Sequence, residues 1–139
     1  MIKSQYILDI LDLAIDNLPE RDLLRNQIAL LAITDINHTG VGVFINFSPE
    51  EEIQKFKIDT SNSRTFDTDG NAIALLDGVE IRNAELSILA DAIVHLKNGI
   101  IDHLEIWNKS GADYVLTEPE HYQLEQMWLE ATMRRRIIK

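Results

Sequence analysis

Apolar residues at the start of the chain recur at the spacing of a helix. Between Ser4 and Asn17 they fall three or four positions apart, with acidic residues between them; the apolar set is Ile7, Leu8, Leu11, Ala14, Ile15 and Leu18. This pattern is typical of an amphipathic helix. Pro19 interrupts it, and a second helix is predicted from Pro19 to about Ile33, because proline is favoured in a first helical turn. The two helices are expected to form a helical hairpin.

Short segments of strand-like composition follow. Residues Gly40–Phe47 are β-branched and aromatic and lie between turn-forming residues, which predicts a strand. Ser48–Glu51 has the sequence of a capping box, so a short helix to about Phe56 is predicted. A polar loop is expected over Asp59–Asn71. Two short strands are expected after it, joined by a hairpin turn at Asp77-Gly78.

Residues 84–97 are compatible with two secondary structures. Apolar residues recur there at near-helical spacing, and Gly99 would suit the C-cap of a helix. However, Asn98-Gly99 stands between two runs of alternating character, which is a strong signal for a two-residue β-turn. We therefore favour a hairpin, in which His95 would lie directly opposite Asp102.

The end of the chain predicts a third helix. Thr117–Glu120 is a second capping box, and the inward stripe of the helix would be Leu124, Met127, Trp128 and Ala131. Helices at both ends with strands between them predict a single α+β domain over residues 1–139. It would contain two N-terminal helices, a central antiparallel sheet with hairpins, and a C-terminal helix packed on one face of the sheet.

Negative charge dominates the chain. It has 23 Asp and Glu against 13 Lys and Arg, a net charge of −10, and four of the basic residues lie in the final stretch Arg134–Lys139. The rest of the chain has nine basic residues against 23 acidic ones, a net charge of −14. Such a body repels nucleic acid and attracts basic partners, although many acidic proteins are simply soluble. The basic tail is expected to interact with the dipole of the predicted last helix.

Several kinds of chemistry find no support in the sequence. The chain has no cysteine, and therefore no disulfide, thiolate nucleophile or Cys-ligated metal. No dinucleotide fingerprint or phosphate-binding loop is present, and the DTDGN stretch fails as a calcium loop because Thr65 and Leu76 stand where ligands are needed. No cofactor is expected. Acidic residues interrupt the first apolar stretch, which argues against a signal peptide or membrane span and predicts a cytoplasmic protein.

The pair of His95 and Asp102 would supply two-thirds of a hydrolytic triad. A nucleophile is missing, because the nearest hydroxyl in sequence, Ser110, lies in a turn without a nucleophile elbow or a helix entry that could form an oxyanion hole. A metal site is no better supported, since His95 and His103 would point to opposite faces of the predicted hairpin. The sequence therefore predicts a protein that is not an enzyme and binds no metal.

Residues 90–111, ADAIVHLKNGIIDHLEIWNKSG, combine an alternating strand, an Asn-Gly turn and the sequence LEIW before a polar turn. This stretch resembles the C-terminal hairpin of small acidic bacterial proteins, several of which are immunity proteins of contact-dependent and polymorphic toxin systems. Gly99, Leu104 and Glu105 match that pattern best. The resemblance implies a non-enzymatic inhibitor that binds one cognate toxin domain, and nuclease toxins tend to be basic.

The resemblance and the net charge both predict an acidic surface that binds a basic protein partner, such as a toxin nuclease domain. No nucleic-acid or membrane partner is expected. The candidate partner-binding residues are carboxylates in loops and on the predicted hairpin: Asp67, Asp69, Asp102, Glu105 and Asp113.

Two alternatives from other functional classes stay open. The first is a cytosolic scaffold protein that forms a homodimer through an uncovered sheet face or through Trp107 and Trp128. The second is a small hydrolase that uses His95 and Asp102 as an acid–base pair.

Overall fold

Two helices followed by a seven-stranded antiparallel sheet make up the computed structural model, which describes residues 1–139. The helices and strands are α1, Gln5–Ile15; α2, Arg21–Ile28; β1, Leu31–His38; β2, Gly42–Pro49; β3, Ile73–Asn83; β4, Ile88–Lys97; β5, Ile100–Asn108; β6, Gln123–Gln126; and β7, Arg136–Ile138. Their order across the sheet is β1-β2-β5-β4-β3-β6-β7. The predicted α+β class with two N-terminal helices is confirmed.

Helix α1 covers the inner face of the sheet. It begins at the N-cap Ser4, whose hydroxyl accepts a hydrogen bond from the Ile7 amide at 3.1 Å. Its apolar stripe packs onto β3, β4 and β6, and the central strands turn apolar residues toward it: Ala90, Ala92, Val94 and Leu96 from β4, with Ile101, Leu104 and Ile106 from β5. The inner face is therefore the hydrophobic core, and none of the helices covers the opposite face.

Gln27 joins helix α2 to the turn between β4 and β5. Its side chain is fully buried, at 0% exposure. The amide nitrogen Nε2 donates to the carbonyls of Phe56 and Gly99 at 2.8 and 2.9 Å, and Oε1 accepts from the Ile101 amide at 2.9 Å. One side chain thus satisfies backbone groups from two other segments.

The prediction that α2 continues to Ile33 is wrong. The helix ends at Ile28, and β1 begins at Leu31, which pairs with Pro49 of β2 and is fully buried. Pairing with β2 supplies hydrogen-bond partners for this backbone and places Leu31 in the core. Both gains come from a strand that lies later in the chain.

The region after β1 matches the sequence prediction in part. The predicted strand over Gly40–Phe47 exists but runs two residues later, from Gly42 to Pro49. The capping box at Ser48 does not form, because Ser48 lies in the strand and no side chain caps the helix that follows. That helix reaches Phe56 as predicted, although it is a 3-10 helix.

No hairpin forms at Asp77-Gly78. Strand β3 passes through both residues, and the register against β4 shifts between Leu76 and Val79, which marks a β-bulge. Backbone groups that the bulge frees find partners in the C-terminal segment. The Met127 amide donates to the Gly78 carbonyl at 2.7 Å, and the Trp128 indole Nε1 donates to the Asp77 carbonyl at 2.8 Å.

The predicted hairpin around Asn98-Gly99 is confirmed. Residues 84–86 form one 3-10 turn and Ile88–Lys97 form β4, so this region is mainly strand and not helix. Lys97 pairs with Ile100 and Leu96 pairs with Ile101, as predicted. Asn98 and Gly99 both adopt positive φ angles, of 52° and 78°, as a two-residue turn of this kind requires.

The predicted C-terminal helix is wrong, and two short strands and a 3-10 turn occupy its place. Strand β6 pairs with β3, which buries Leu124 as predicted but also buries Glu125 and Gln126. Trp128, which the prediction placed inward, is 80% exposed.

The basic tail has a different role from the one predicted. Arg134 and Arg136 form ion pairs with Glu125, and Arg135 forms ion pairs with Asp12 and Asp16 of α1. Burial works against the charged form of Arg135, but the carboxylates of Asp12 and Asp16 outweigh it and raise the pKa of the guanidinium. The tail therefore neutralises carboxylates of the folded body, and its cations do not serve a helix dipole.

Neither helix of the structure has the length and apolar character needed to cross a lipid bilayer.

Candidate protein-binding face

The open face is the side of the sheet opposite the helices. Strand alternation places on it the side chains that lie between the buried ones, and most of them are half-buried or exposed: Phe44 and Asn46 from β2, His103, Glu105 and Trp107 from β5, and Asp91, Ile93 and His95 from β4. Trp107 is 49% exposed. This face therefore presents aromatic, imidazole and carboxylate groups to solvent.

Charge is divided unevenly across the open face. Strands β1, β2 and β5 contain no Lys or Arg. Their open-face carboxylates are Asp35, Asp102 and Glu105, and Asp35 accepts hydrogen bonds from the amides of Asn37 and Asn46 at 2.9 and 3.3 Å. We call this part of the face, made of β1, β2 and β5, the acidic half.

The other half of the open face neutralises its own carboxylates. Glu80 of β3 is buried and accepts from Arg82 and Lys109, while Lys109 also contacts Asp91 at 2.9 Å. Glu125 of β6 is held in the same way by the arginines of the C-terminal tail. Within the open face, Asp35, Asp102 and Glu105 of the acidic half therefore differ from Glu80, Asp91 and Glu125 in having no Lys or Arg partner.

The contribution of Glu80 to the stability of the fold is expected to fall in acid. Burial alone would raise the pKa of Glu80, but hydrogen bonds from Lys109 and Arg82 outweigh it and hold that pKa below its usual value of 4.5. A lowered pKa stabilises the fold above pH 4.5, and this contribution is lost as the pH falls through the lower folded value.

The variant Glu80→Gln tests this expectation. The difference in unfolding free energy between the wild-type protein and the variant should shrink as the pH is lowered from 7 to 3, which urea titrations at several pH values would measure. Glu85→Gln, at an exposed position without an ion pair, serves as the control and should not change the pH dependence. A difference for Glu80→Gln that is the same at every pH would contradict the assignment.

His95 and His103 form a stacked pair at the border of the acidic half, where β5 meets β4. Their ring centroids are 4.0 Å apart and the ring planes differ by 14°. His95 Nε2 lies 2.9 Å from Glu105 Oε1, and His103 Nδ1 lies 2.7 Å from Asp102 Oδ2. We call these four residues, His95, Asp102, His103 and Glu105, the histidine cluster.

A β-bulge creates this arrangement and corrects the predicted pairing. The register shifts between His95 and Leu96, so that His95 pairs with His103 and not with Asp102. Asp102 is the extra residue of the bulge. The two histidines therefore share one face, whereas the sequence placed them on opposite faces, and the proposed His95–Asp102 pair does not form.

The histidine cluster holds two imidazoles and two carboxylates in contact. While both rings are neutral, each donates its single ring N–H to a carboxylate, and the cluster carries two negative charges. Two protonated rings about 4 Å apart would repel each other by about 4 kcal/mol at an effective dielectric constant of ~20. The carboxylate oxygens, 2.9 and 2.7 Å from the rings, would attract a protonated ring at least as strongly.

The predicted partner-binding residues do not form one site. Asp102 and Glu105 meet in the histidine cluster. Asp67 and Asp69 lie in a loop beside the β4–β5 turn, where Asp67 accepts from the side chain and the amide of Asn71; these bonds lower the pKa of Asp67. Asp113 is exposed and lies beside the β1–β2 connection, toward the opposite end of the sheet.

Sequence reasoning missed the contribution of β1 and β2. Asp35 and Phe44 were not among the predicted residues, although both lie on the acidic half and the Phe44 ring is 5.9 Å from that of His103. The signal was present in the sequence, because no Lys or Arg occurs between Arg25 and Lys55.

The hydrolase alternative gains no geometric support from Ser110. Its hydroxyl donates to the Ser87 carbonyl at 2.6 Å, just past the end of β5, whereas Asp102 lies near the start of that strand, beside the β4–β5 turn. No group of three or more His, Asp or Glu side chains is placed to hold a metal ion.

The chain was also compared with known proteins. No protein-family model, no curated protein and no solved structure matches it.

Proposed function

We propose that this chain is a non-enzymatic inhibitor of the immunity-protein kind, which binds a basic toxin domain through the acidic half of its open sheet face. The observation that carries the proposal is the uneven charge of that face. Three neighbouring strands present Asp35, Asp102 and Glu105 and contain no Lys or Arg, while the carboxylates of the other half are neutralised by cations of the same chain.

The acidic half has the features that binding to a basic partner needs. Unneutralised carboxylates speed the encounter with a positively charged protein by electrostatic steering. Phe44 and Trp107 lie beside them and can act as aromatic anchors, which commonly carry much of the energy of an interface. On a nuclease, such a surface would occupy the groove that binds the phosphates of the substrate. The inhibitor would act in the cytoplasm of the cell that produces both proteins.

The resemblance at residues 90–111 points to the same surface. This stretch contains most of β4 and all of β5, and Glu105, one of its best-matching residues, belongs to the histidine cluster. The resembling stretch thus contributes strands to this face, and the charge distribution supports the face as the binding surface.

Co-purification with the toxin domain encoded next to this gene tests the proposal. The two proteins are expected to form a complex at low salt that weakens as the salt concentration rises. The double variant Asp102→Asn, Glu105→Gln should bind the toxin domain about 100-fold more weakly or worse, since interfacial charge pairs contribute about 1.5 kcal/mol or more each. Isothermal titration calorimetry would measure the change.

A matched control removes two carboxylates from another place. Glu20→Gln with Asp22→Asn changes the net charge equally but lies at the N-cap and in the first turn of α2, on the helix side of the sheet. This variant should bind the toxin domain within about twofold of wild type. Equal losses for the two double variants would show that only overall charge matters, and absence of any complex at low salt would remove the proposal.

A homodimer through the open face is the second candidate function. Leu75 and Trp107 lie on this face and are each about half exposed, which is the composition of a subunit interface. Analytical ultracentrifugation of the chain alone distinguishes the two functions. A stable dimer that Trp107→Ala dissociates would favour the scaffold, and a monomer across the micromolar range would favour the inhibitor.

A further inference from the structure

We propose that the histidine cluster docks an arginine-rich segment of the partner only while both imidazoles are uncharged, so that binding to the acidic half is coupled to protonation. This inference rests on the proposed function, because it specifies the partner chemistry and the regulation of the same surface.

Each imidazole of the histidine cluster has one ring nitrogen bonded to a carboxylate and one nitrogen free to contact a partner. His95 uses Nε2 toward Glu105, and His103 uses Nδ1 toward Asp102, while the second nitrogen of each ring has no protein partner. In a neutral imidazole the second nitrogen is an acceptor, and protonation turns it into a donor. When a ring takes up a proton, its second nitrogen no longer accepts a hydrogen bond. A guanidinium of the partner then loses that acceptor and meets a positive charge.

The charged groups around the pair give the second argument. On β5 the charged neighbours are Asp102 and Glu105. On β1 the nearest carboxylate is Asp35, which accepts a hydrogen bond from Asn46, the residue of β2 that pairs with His103. Strands β2 and β3 contribute the uncharged Phe44, Asn46 and Leu75.

Cations lie only at the borders of the histidine cluster. Lys97 is two residues from His95 on β4, and Lys57 contacts the β4–β5 turn. Asp91, four residues before His95, is held by Lys109. Histidine is the side chain whose ordinary titration lies between pH 5 and 8, so a test of proton-linked binding compares pH values at the two ends of that range.

Arginine fits this surface better than lysine does. A guanidinium is planar, weakly hydrated and able to bond two carboxylate oxygens at once. The carboxylates of the histidine cluster lie beside a row of rings, Phe44, His103 and His95, where a weakly hydrated cation loses less solvation than an ammonium group would.

Titration of the isotope-labelled protein with hexa-arginine and hexa-lysine peptides tests the inference by amide chemical shifts. At pH 7.5 hexa-arginine is expected to shift amides of β1, β2 and β5 and of β4 around His95, and to bind at least threefold more tightly than hexa-lysine. At pH 5.5 its affinity should fall at least fivefold, since one linked proton changes affinity by up to about tenfold per pH unit.

The double variant His95→Gln, His103→Asn removes the titration and keeps the hydrogen bonds. The glutamine amide can replace Nε2 toward Glu105, and the asparagine amide can replace Nδ1 toward Asp102. Hexa-arginine should bind this variant with affinities that agree within twofold at the two pH values. The control His121→Gln alters an exposed histidine outside the acidic half and should keep the full pH dependence.

The outcomes separate this inference from the proposed function. A pH-independent affinity for wild type, an unchanged pH dependence in the cluster variant, shifts centred outside the acidic half, or equal binding of the two peptides would each overturn the inference. A toxin complex that forms equally well at pH 7.5 and 5.5 would leave the proposed function standing and remove the coupling. Proton-linked peptide binding without a toxin complex would do the reverse.

Discussion

Replacement of Gln27 by leucine is expected to destabilise the protein by about 2–6 kcal/mol. The leucine fills a similar volume but cannot bond the Phe56 carbonyl or the Ile101 amide, and both of these groups rely on Gln27. The Gly99 carbonyl keeps a second donor, the Ile58 amide at 3.1 Å. Each buried backbone group that loses its partner costs about 1–3 kcal/mol.

Urea denaturation followed by circular dichroism would measure the loss. Asn26→Leu changes the preceding, exposed residue of the same helix and should alter the unfolding free energy by less than about 0.5 kcal/mol. A loss below 1 kcal/mol for Gln27→Leu would mean that water or a shifted backbone replaces the glutamine, and the contact between α2 and the β4–β5 turn would then not depend on it.

The variant Gly99→Ala is expected to lose about 2–5 kcal/mol. Gly99 has a φ of 78°, where a side chain costs about 1–2 kcal/mol. A Cβ atom there would also collide with the backbone carbonyl of Ile58, which the Ile58–Gly99 hydrogen bond holds in place. Overpacking of this kind adds about 1–3 kcal/mol.

Gly70→Ala is the matched control for this prediction. Gly70 has a φ of 83°, but no atom lies within 4 Å of the position that its Cβ would take. The control therefore reports the cost of the backbone conformation alone, about 1–2 kcal/mol, and the difference between the two variants in thermal or urea unfolding reports the collision. Equal losses would show that the chain near Ile58 moves away without cost.

Elements governed by neighbouring residues were predicted well. The periodic apolar residues specify α1 from neighbouring positions alone, and Asn98-Gly99 specifies the hairpin because only a few residue pairs accept positive φ at both positions. In residues 84–97 the turn outweighed the helical spacing, because pairing with β3 and β5 on both sides places the apolar residues of β4 in the core.

The C-terminal segment shows where local signals mislead. Thr117–Glu120 and the apolar spacing after it suit a helix, yet residues 123–126 pair with the edge of β3. There Gln126 donates to the Leu13 carbonyl at 3.1 Å, and Glu125 finds Arg134 and Arg136. These partners lie on elements that a window of local sequence does not contain.

The binding surface divides in the same way. By itself the sequence determined the acidic charge, the helical start, the hairpin and the strand-borne Asp102 and Glu105, because composition, apolar periodicity and turns act over a few residues. Only the tertiary structure decided that a bulge stacks His103 on His95, that β1 and β2 bring Asp35 and Phe44 beside them, and that the cations go to the other half. Register and strand order arise from contacts between distant segments, and these contacts select one pairing among several that the local sequence allows equally.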